Sequence, residues 1–239
     1  MANLIKGYSS LHEEYDKVKH KVTLWAVLMV VSFFAMLEWG IFFIGIVVCG
    51  FFLGKYSKLL KLKRSAIDGE RTMNKVCRKL PESYTVVTNV ELTSEGKTHY
   101  LDQIIVGPSG VYLIETKNMN GSVVGHADSG ELLQHKIGRQ GGRYSNRVRN
   151  PIKQLGGQLH HLSNYFKYHG VNVWVKGVVY FTNSEVKVNI ASAQVPIFTQ
   201  SARGAKQLKK HLLDAEANGQ VLSQQDQQKI VAILTGQTP

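Results

Sequence analysis

Cysteine is nearly absent. The 239-residue chain carries two, Cys49 inside an apolar run and Cys77 in a predicted helix, so neither a disulfide framework nor a zinc-ligand spacing can be assembled; this fits a reducing compartment. Acids are scarce as well, with 17 Asp and Glu set against 29 Lys and Arg. The net charge of +12 that results points to a polyanionic partner: nucleic acid, anionic lipid, or both. No internal repeat or low-complexity tract occurs, which excludes solenoid and array architectures. His160, His161 and His169 have no cysteine or acid at ligand spacing, so they read as surface or satisfied histidines rather than metal ligands. What is present is 44% hydrophobic residues, enough for one full globular domain and a smaller element.

The smaller element is N-terminal. Met1–Lys21 is polar, with Tyr8, Leu11, Tyr15 and Val18 at helical spacing, and predicts a short helix at a membrane surface. From Val22 to Gly54 the chain is apolar except for Thr23, Ser32 and Glu38. As one helix this run would be about 50 Å long, too long for a hydrocarbon core about 30 Å thick. Two arrangements remain: a hairpin of spans 22–37 and 41–54 turning at Glu38-Trp39-Gly40, or one tilted span with an apolar overhang. The hairpin is preferred. It puts Lys19, His20 and Lys21 on the same, cytoplasmic side as Lys55, Lys58, Lys61, Lys63 and Arg64. A single span would bury Glu38 near mid-membrane, at about 2.5–3.5 kcal/mol on insertion scales. Acids before the run, and no small-residue cleavage pattern after it, argue against a signal peptide. The expected organisation is therefore a polar segment 1–21, a transmembrane hairpin 22–54, a basic linker 55–64 against lipid headgroups, and a domain over 65–239. Such a chain would sit in the inner (cytoplasmic) membrane with its domain in the cytoplasm, and the hairpin offers a surface for homo-oligomerisation.

The domain is organised around Leu101–Lys117, LDQIIVGPSGVYLIETK. Two apolar runs flank Gly107-Pro108-Ser109-Gly110, a tight-turn composition, which predicts a buried β-hairpin. Side chains alternate along a strand, so Glu115 and Lys117 share a face. Asp102 opens the partner strand. Two carboxylates can ligate a divalent cation while the ammonium positions water or offsets phosphate charge, the arrangement a metal-dependent phosphodiesterase needs.

These residues also carry a resemblance. The D-(x)n-E-x-K hairpin is similar to the PD-(D/E)xK nuclease superfamily. More narrowly, Gly69-Glu70, Asp102-Gln103-Ile104-Ile105-Val106, Gly110 to Asn118, Gly121 and Asn150-Pro151-Ile152-Lys153-Gln154 resemble, in that order, the NERD (nuclease-related) domain. The likeness covers roughly Ile67 to Leu234. It implies a restriction-endonuclease-like α/β fold, an α-β-β-β-α-β core with a mixed sheet. It further implies Mg²⁺ or Mn²⁺ held by Asp102, Glu115 and the Thr116 carbonyl, water oriented by Lys117, and Glu70 and Gln154 completing the site. Leu101 stands where the wider superfamily has proline, and no aromatic occupies the stretch just after Gly121, where the family commonly has tryptophan.

The residues alone leave some assignments open. Glu70 and Asp68 also suit the first turn of a helix predicted from Ser65 to about Leu80, where the macrodipole favours acids. Gln154 also suits an exposed position on a helix opened by Asn150 and Pro151. Gly138–Arg149 reads as a long loop whose Arg139, Arg143, Arg147 and Arg149, with Lys153 nearby, suit DNA backbone contact as well as plain solvation. Strands are expected at Tyr84–Leu92, His99–Val106, Gly110–Lys117 and Val173–Phe181, with weaker ones at Gly121–Gly125, Glu131–His135, Val186–Ile190 and Pro196–Thr199. Helices capped by Ser201 and Ser223 follow. The expected function is a membrane-anchored, metal-dependent nuclease acting on DNA, with RNA also open, in defence against or processing of foreign DNA. The alternative is an inactive membrane-tethered nucleic-acid-binding or assembly protein.

Overall fold

Two helices, α1 (Ser10–Trp39) and α2 (Phe43–Cys77), carry the N-terminal apolar run. The computed structural model describes all residues except 8, 9, 40–42, 95, 96, 139, 202, 215–220 and 237–239. Tyr8, the turn residue Gly40, Ile41, the hairpin tip at 95–96, Arg139 and Gln220 therefore lie outside the described residues. The chain divides into two compact units, Ser9–Asp68 and a second formed by Met1–Tyr8 and Gly69–Pro239.

Within the first unit α1 and α2 run antiparallel in one register. Glu14 pairs with Lys63, Lys21 lies over the Tyr56 ring, and Trp25 stacks on Phe52 with ring centroids 4.4 Å apart. At Gly45 an added Cβ would lie 3.0 Å from Ser32 Oγ, the close approach that small residues permit between apolar helices. Both helices are long and apolar enough to cross a membrane by length and composition. They exceed the expected spans because their flanks are also helix-forming. The basic linker, rich in Lys and Leu without proline, continues α2 unbroken into the first helix of the domain. Glu70 thus lies two turns before the end of a long helix, and the first-turn explanation for it falls away.

The second unit holds a six-stranded mixed sheet, in the order β1 (Asn3–Lys6), β2 (Thr85–Ser94), β3 (Lys97–Gly107), β4 (Gly110–Lys117), β8 (Val175–Phe181) and β10 (Ile197–Thr199). The polar N-terminus was expected to be helical from its start. Instead Asn3–Lys6 adds a strand parallel to β2, in register with Thr85–Thr88, where sheet hydrogen bonds satisfy its backbone. The β3–β4 hairpin turns at Pro108 and Ser109 as expected, and β4 and β8 are parallel neighbours. Helix α3 (Pro151–Tyr168) lies between them in the chain, capped by Asn150.

Helices cover both sheet faces. Leu155, Leu162 and Phe166 of α3, with Ile230 and Leu234 of α5 (Gln224–Thr235), pack on Ile104, Leu113 and Val179. Met73, Val76 and Cys77 of α2, with Leu208 and Leu212 of α4 (Gly204–Asp214), pack on Ile105, Tyr112, Ile114 and Tyr180. Strands covered on both faces read as near-continuous apolar runs, as Ile104–Val106 and Val111–Ile114 do.

Three strands between β4 and α3, joined by β9 after β8, build a second sheet, in the order β7 (Arg143–Arg149), β6 (Glu131–Ile137), β5 (Ser122–His126) and β9 (Lys187–Ala191). The arginine segment read as a loop, Gly138–Arg149, is therefore an edge strand from Arg143 onward. It alternates, but its side chains are mostly exposed, so the apolar signal that marks a strand is missing.

Candidate active site

The β3–β4 ladder pairs Gln103 with Ile114, so the next step places Asp102 opposite Glu115. The Thr116 N–H donates to Asp102 Oδ2 at 2.8 Å. One residue further along β4, Lys117 Nζ lies 2.5 Å from Glu115 Oε1 and donates to Gln154 Oε1 on α3 at 3.0 Å. Glu115 and Lys117 do share a face, and α3 brings Gln154 to it. The Glu115 side chain is fully buried, and its Oε2 has no hydrogen-bond partner.

Glu70 reaches the group from α2. That helix passes close to the sheet where it carries Gly69: an added Cβ there would lie 3.0 Å from Asn118 Cβ and 3.1 Å from Thr182 Oγ1. Asn89 Nδ2 donates to Glu70 Oε1 at 3.0 Å, while Glu70 Oε2 is buried without a partner.

Asn89 was not among the expected site residues. Its φ of +54° is left-handed, a conformation asparagine tolerates better than most residues. Thr88 pairs with Gln103 and Val90 with Leu101, leaving Asn89 and Asp102 facing each other at an unpaired step. Both strands turn over there. In a regular strand Leu101 and Gln103 would share a face, yet Leu101 joins the core under α3 while Gln103 Nε2 donates to Asn74 of α2. The signal was legible as a polar interruption, Thr88-Asn89, in an otherwise alternating apolar run.

Burial first, and the neighbouring charge of Glu115 second, raise the Asp102 carboxyl from its ordinary 3.8 to about 7. The Thr116 N–H and Lys117 act in the opposite direction, and the charge of Glu70 adds a smaller upward push. Three acids therefore share one electrostatic environment with one ammonium.

A divalent cation suits this donor set. Asp102 and Glu115 are hard oxygen donors, and the unpartnered Glu115 Oε2 and Glu70 Oε2 are buried acceptors with nothing to accept from. Among the described residues no group of three or more His, Cys, Asp or Glu side chains converges at ligand spacing. A cation here would take few protein ligands, the habit of Mg²⁺, which retains water and shares its remaining positions with phosphate.

The predicted nucleic-acid contacts are spread along a surface. Arg143, Arg147 and Arg149 alternate along one face of β7, where Arg147 lies 3.6 Å from Glu131. Lys153 on α3 lies 3.7 Å from Asp128. Asn150 is structural as well as a cap: its buried amide donates to the carbonyls of His126, Ala127 and Ser129 while its Oδ1 accepts from the Ile152 N–H.

Comparison with known proteins adds a family. Residues 65–182 match the model of the nuclease-related domain, NERD. An uncharacterized protein of Bacillus anthracis is 39% identical over 68 residues, which cover 28% of this chain and 32% of that protein. No solved structure matches the chain significantly.

Proposed function

We infer, from the chain's membership of the nuclease-related domain family over residues 65–182, that it is a divalent-metal-dependent nuclease hydrolysing DNA phosphodiester bonds. The observation that carries this reading is the convergence of Asp102 midway along β3, Glu115 and Lys117 at the end of β4 and Gln154 in the first turn of α3, with Glu115 Oε2 and Glu70 Oε2 left unpartnered. When bound, Mg²⁺ or Mn²⁺ would supply Lewis-acid stabilisation of phosphate charge and a more acidic water. Asp102 and Glu115, with the Thr116 carbonyl, would hold it. Lys117, itself held by Gln154, orients the attacking water on the scissile phosphate. Glu70, steered by Asn89, completes the acidic wall.

The helical pair acts as a membrane anchor in this reading. The chain leaves the nuclease unit near Tyr8 and rejoins it at Gly69, and β1 ties the N-terminus into the same sheet as the site. The chain thus enters α1 from, and leaves α2 into, the same unit, a connectivity that suits a hairpin with both basic flanks on the cytoplasmic side. An enzyme so tethered would act on DNA close to the membrane, as in the handling of foreign DNA.

A second reading, a tethered nucleic-acid-binding module without cleavage, is favoured by the direct pairing of Lys117 with Glu115, which already neutralises part of the site. One experiment separates the two. Full-length protein in detergent is incubated with plasmid and linear DNA, with and without Mg²⁺, beside a Lys117→Ala control. Metal-dependent cleavage lost in the control supports the nuclease; no cleavage with Mg²⁺ leaves the binding module.

A further inference from the structure

We propose that the second sheet holds a separate subsite for one unstacked nucleotide of the substrate strand, flanking the bond that the site on β3 and β4 cleaves; the proposal rests on the nucleic-acid reading above. A cavity of about 500 Å³ opens at the end of this sheet where β5 and β9 begin and the β6–β7 hairpin has its tip. That volume suits a small-molecule site, commonly about 300–1,000 Å³, and is too small for a duplex. Lys136, Arg143 and Lys187 line it, and among the described residues none of the three pairs with a carboxylate. The exposed ring of Tyr144 stands beside them, 48% accessible, and His135 Nδ1 is 2.6 Å from Ser145 Oγ. Cations near an open aromatic ring are what a single strand requires: charge for its phosphates and a face on which a base stacks. The one acid on the rim is Glu185, an acceptor for a base amino group.

Two short segments fix this cavity to the cleavage site. Gly121 follows Lys117 by four residues, a reach of at most about 14 Å. On the neighbouring strand, Thr182 N–H donates to Lys117 O at 2.9 Å, and the chain then enters the cavity at Glu185 and Lys187. The Lys187 N–H closes the junction on Gly121 O at 2.9 Å. Gly121 itself has φ +78°, and an added Cβ would meet His135 O at 2.2 Å, so the cavity wall is set by close backbone approach. A strand lying on the β3–β4 site thus reaches the cavity within a few nucleotides.

The test uses the full-length protein in detergent, without metal, and a fluorescein-labelled twelve-nucleotide single strand read by anisotropy. Vesicles of phosphatidylcholine with phosphatidylglycerol form a second arm, read by co-sedimentation. Removing two phosphate contacts in a Lys136→Glu, Lys187→Glu double variant should weaken single-strand binding at least tenfold. It should also lower the log–log salt slope by about 1.4, while vesicle binding stays unchanged. Photocrosslinking of a 5-iodouracil strand to the wild type should map to Tyr144 or His135, a readout independent of how any variant folds. Unchanged single-strand affinity, a loss confined to vesicles, or crosslinks mapping elsewhere would overturn the subsite. Cleavage is scored in parallel with Mg²⁺. Crosslinks at Tyr144 without any cleavage sink the nuclease and keep the subsite; cleavage with unaltered binding does the reverse.

Discussion

Asn89 donates its side-chain amide to Glu70 across 3.0 Å from a left-handed backbone, at the step where β2 faces Asp102. Backbone and side chain can be tested apart. Asn89→Gly keeps the conformation, because glycine adopts positive φ freely, but leaves both Glu70 oxygens unpartnered. A hydrogen bond to a charged group is worth about 1.5–3 kcal/mol, so urea unfolding should show a loss of that order. The Mg²⁺ concentration for half-maximal cleavage should rise about tenfold, equivalent to ~1.4 kcal/mol. Asn89→Val loses the same bond and adds a β-branched side chain at positive φ, so it should be less stable than the glycine variant. Equal stability of the two would mean that the left-handed step imposes no constraint.

The raised Asp102 carboxyl fixes the sign of a pH effect. Its folded value of about 7 lies above the ordinary 3.8, so in this window the folded chain holds a proton that the unfolded chain has released. Stability therefore falls as pH rises from about 4 towards 7, and the penalty is complete above 7. A divalent cation binds the deprotonated carboxylate, so its affinity should climb through the same range and level off near pH 8. Asp102→Asn should flatten the metal-free melting profile between pH 5 and 8, which differential scanning calorimetry would read. A wild-type profile that rises with pH over this window, or one unchanged in the variant, would contradict the placement of Asp102 among the acids.

The parts of this molecule that could be read from residue order are those where local chemistry and tertiary packing agree. The Gly107–Gly110 turn, the apolar runs beside it and the Asn150-Pro151 helix start each follow from side-chain and backbone preferences acting over a few residues. Glu115 and Lys117 on one face follow from strand period alone. Three features escaped because they depend on distant partners. Asn3–Lys6 becomes a strand only because β2 offers an open edge. Arg143–Arg149 is a strand whose exposed arginines hide the alternation. The turnover at Asn89 and Asp102 exists in neither strand separately; it is a property of their pairing.

Asn150 tests the support behind the site. Its amide is fully buried and donates to three carbonyls of the 126–129 turn, while its Oδ1 caps α3. Alanine would remove the cap, typically about 1 kcal/mol, and strand buried acceptors at about 1–3 kcal/mol. The Asn150→Ala variant should lose about 2–4 kcal/mol by chemical denaturation. Asp at this position keeps the cap but cannot donate to the carbonyls, so it should be nearly as damaging. If Asn150→Asp matches the wild type, the cap alone matters and the turn contributes nothing.

Lys117 is in direct contact with the buried Glu115, at 2.5 Å, and is 21% exposed. Two opposite expectations attach to its removal. Chemistry should suffer, because the group that orients water at the phosphate is gone; positioned proton-transfer groups contribute about 10²–10⁴-fold, and Lys117→Ala should lose cleavage in that range. Metal response should grow, because Glu115, Asp102 and Glu70 then repel one another without a neutralising ammonium. The metal-free variant should therefore melt below the wild type, and saturating Mg²⁺ should raise its melting temperature by more than it raises that of the wild type. Lys117→Met, similar in length but uncharged, separates charge from packing: it should share the enlarged Mg²⁺ response while keeping more of the metal-free stability. A binding-only site predicts the contrary pattern, in which Mg²⁺ moves neither melt and Lys117→Ala changes DNA affinity alone.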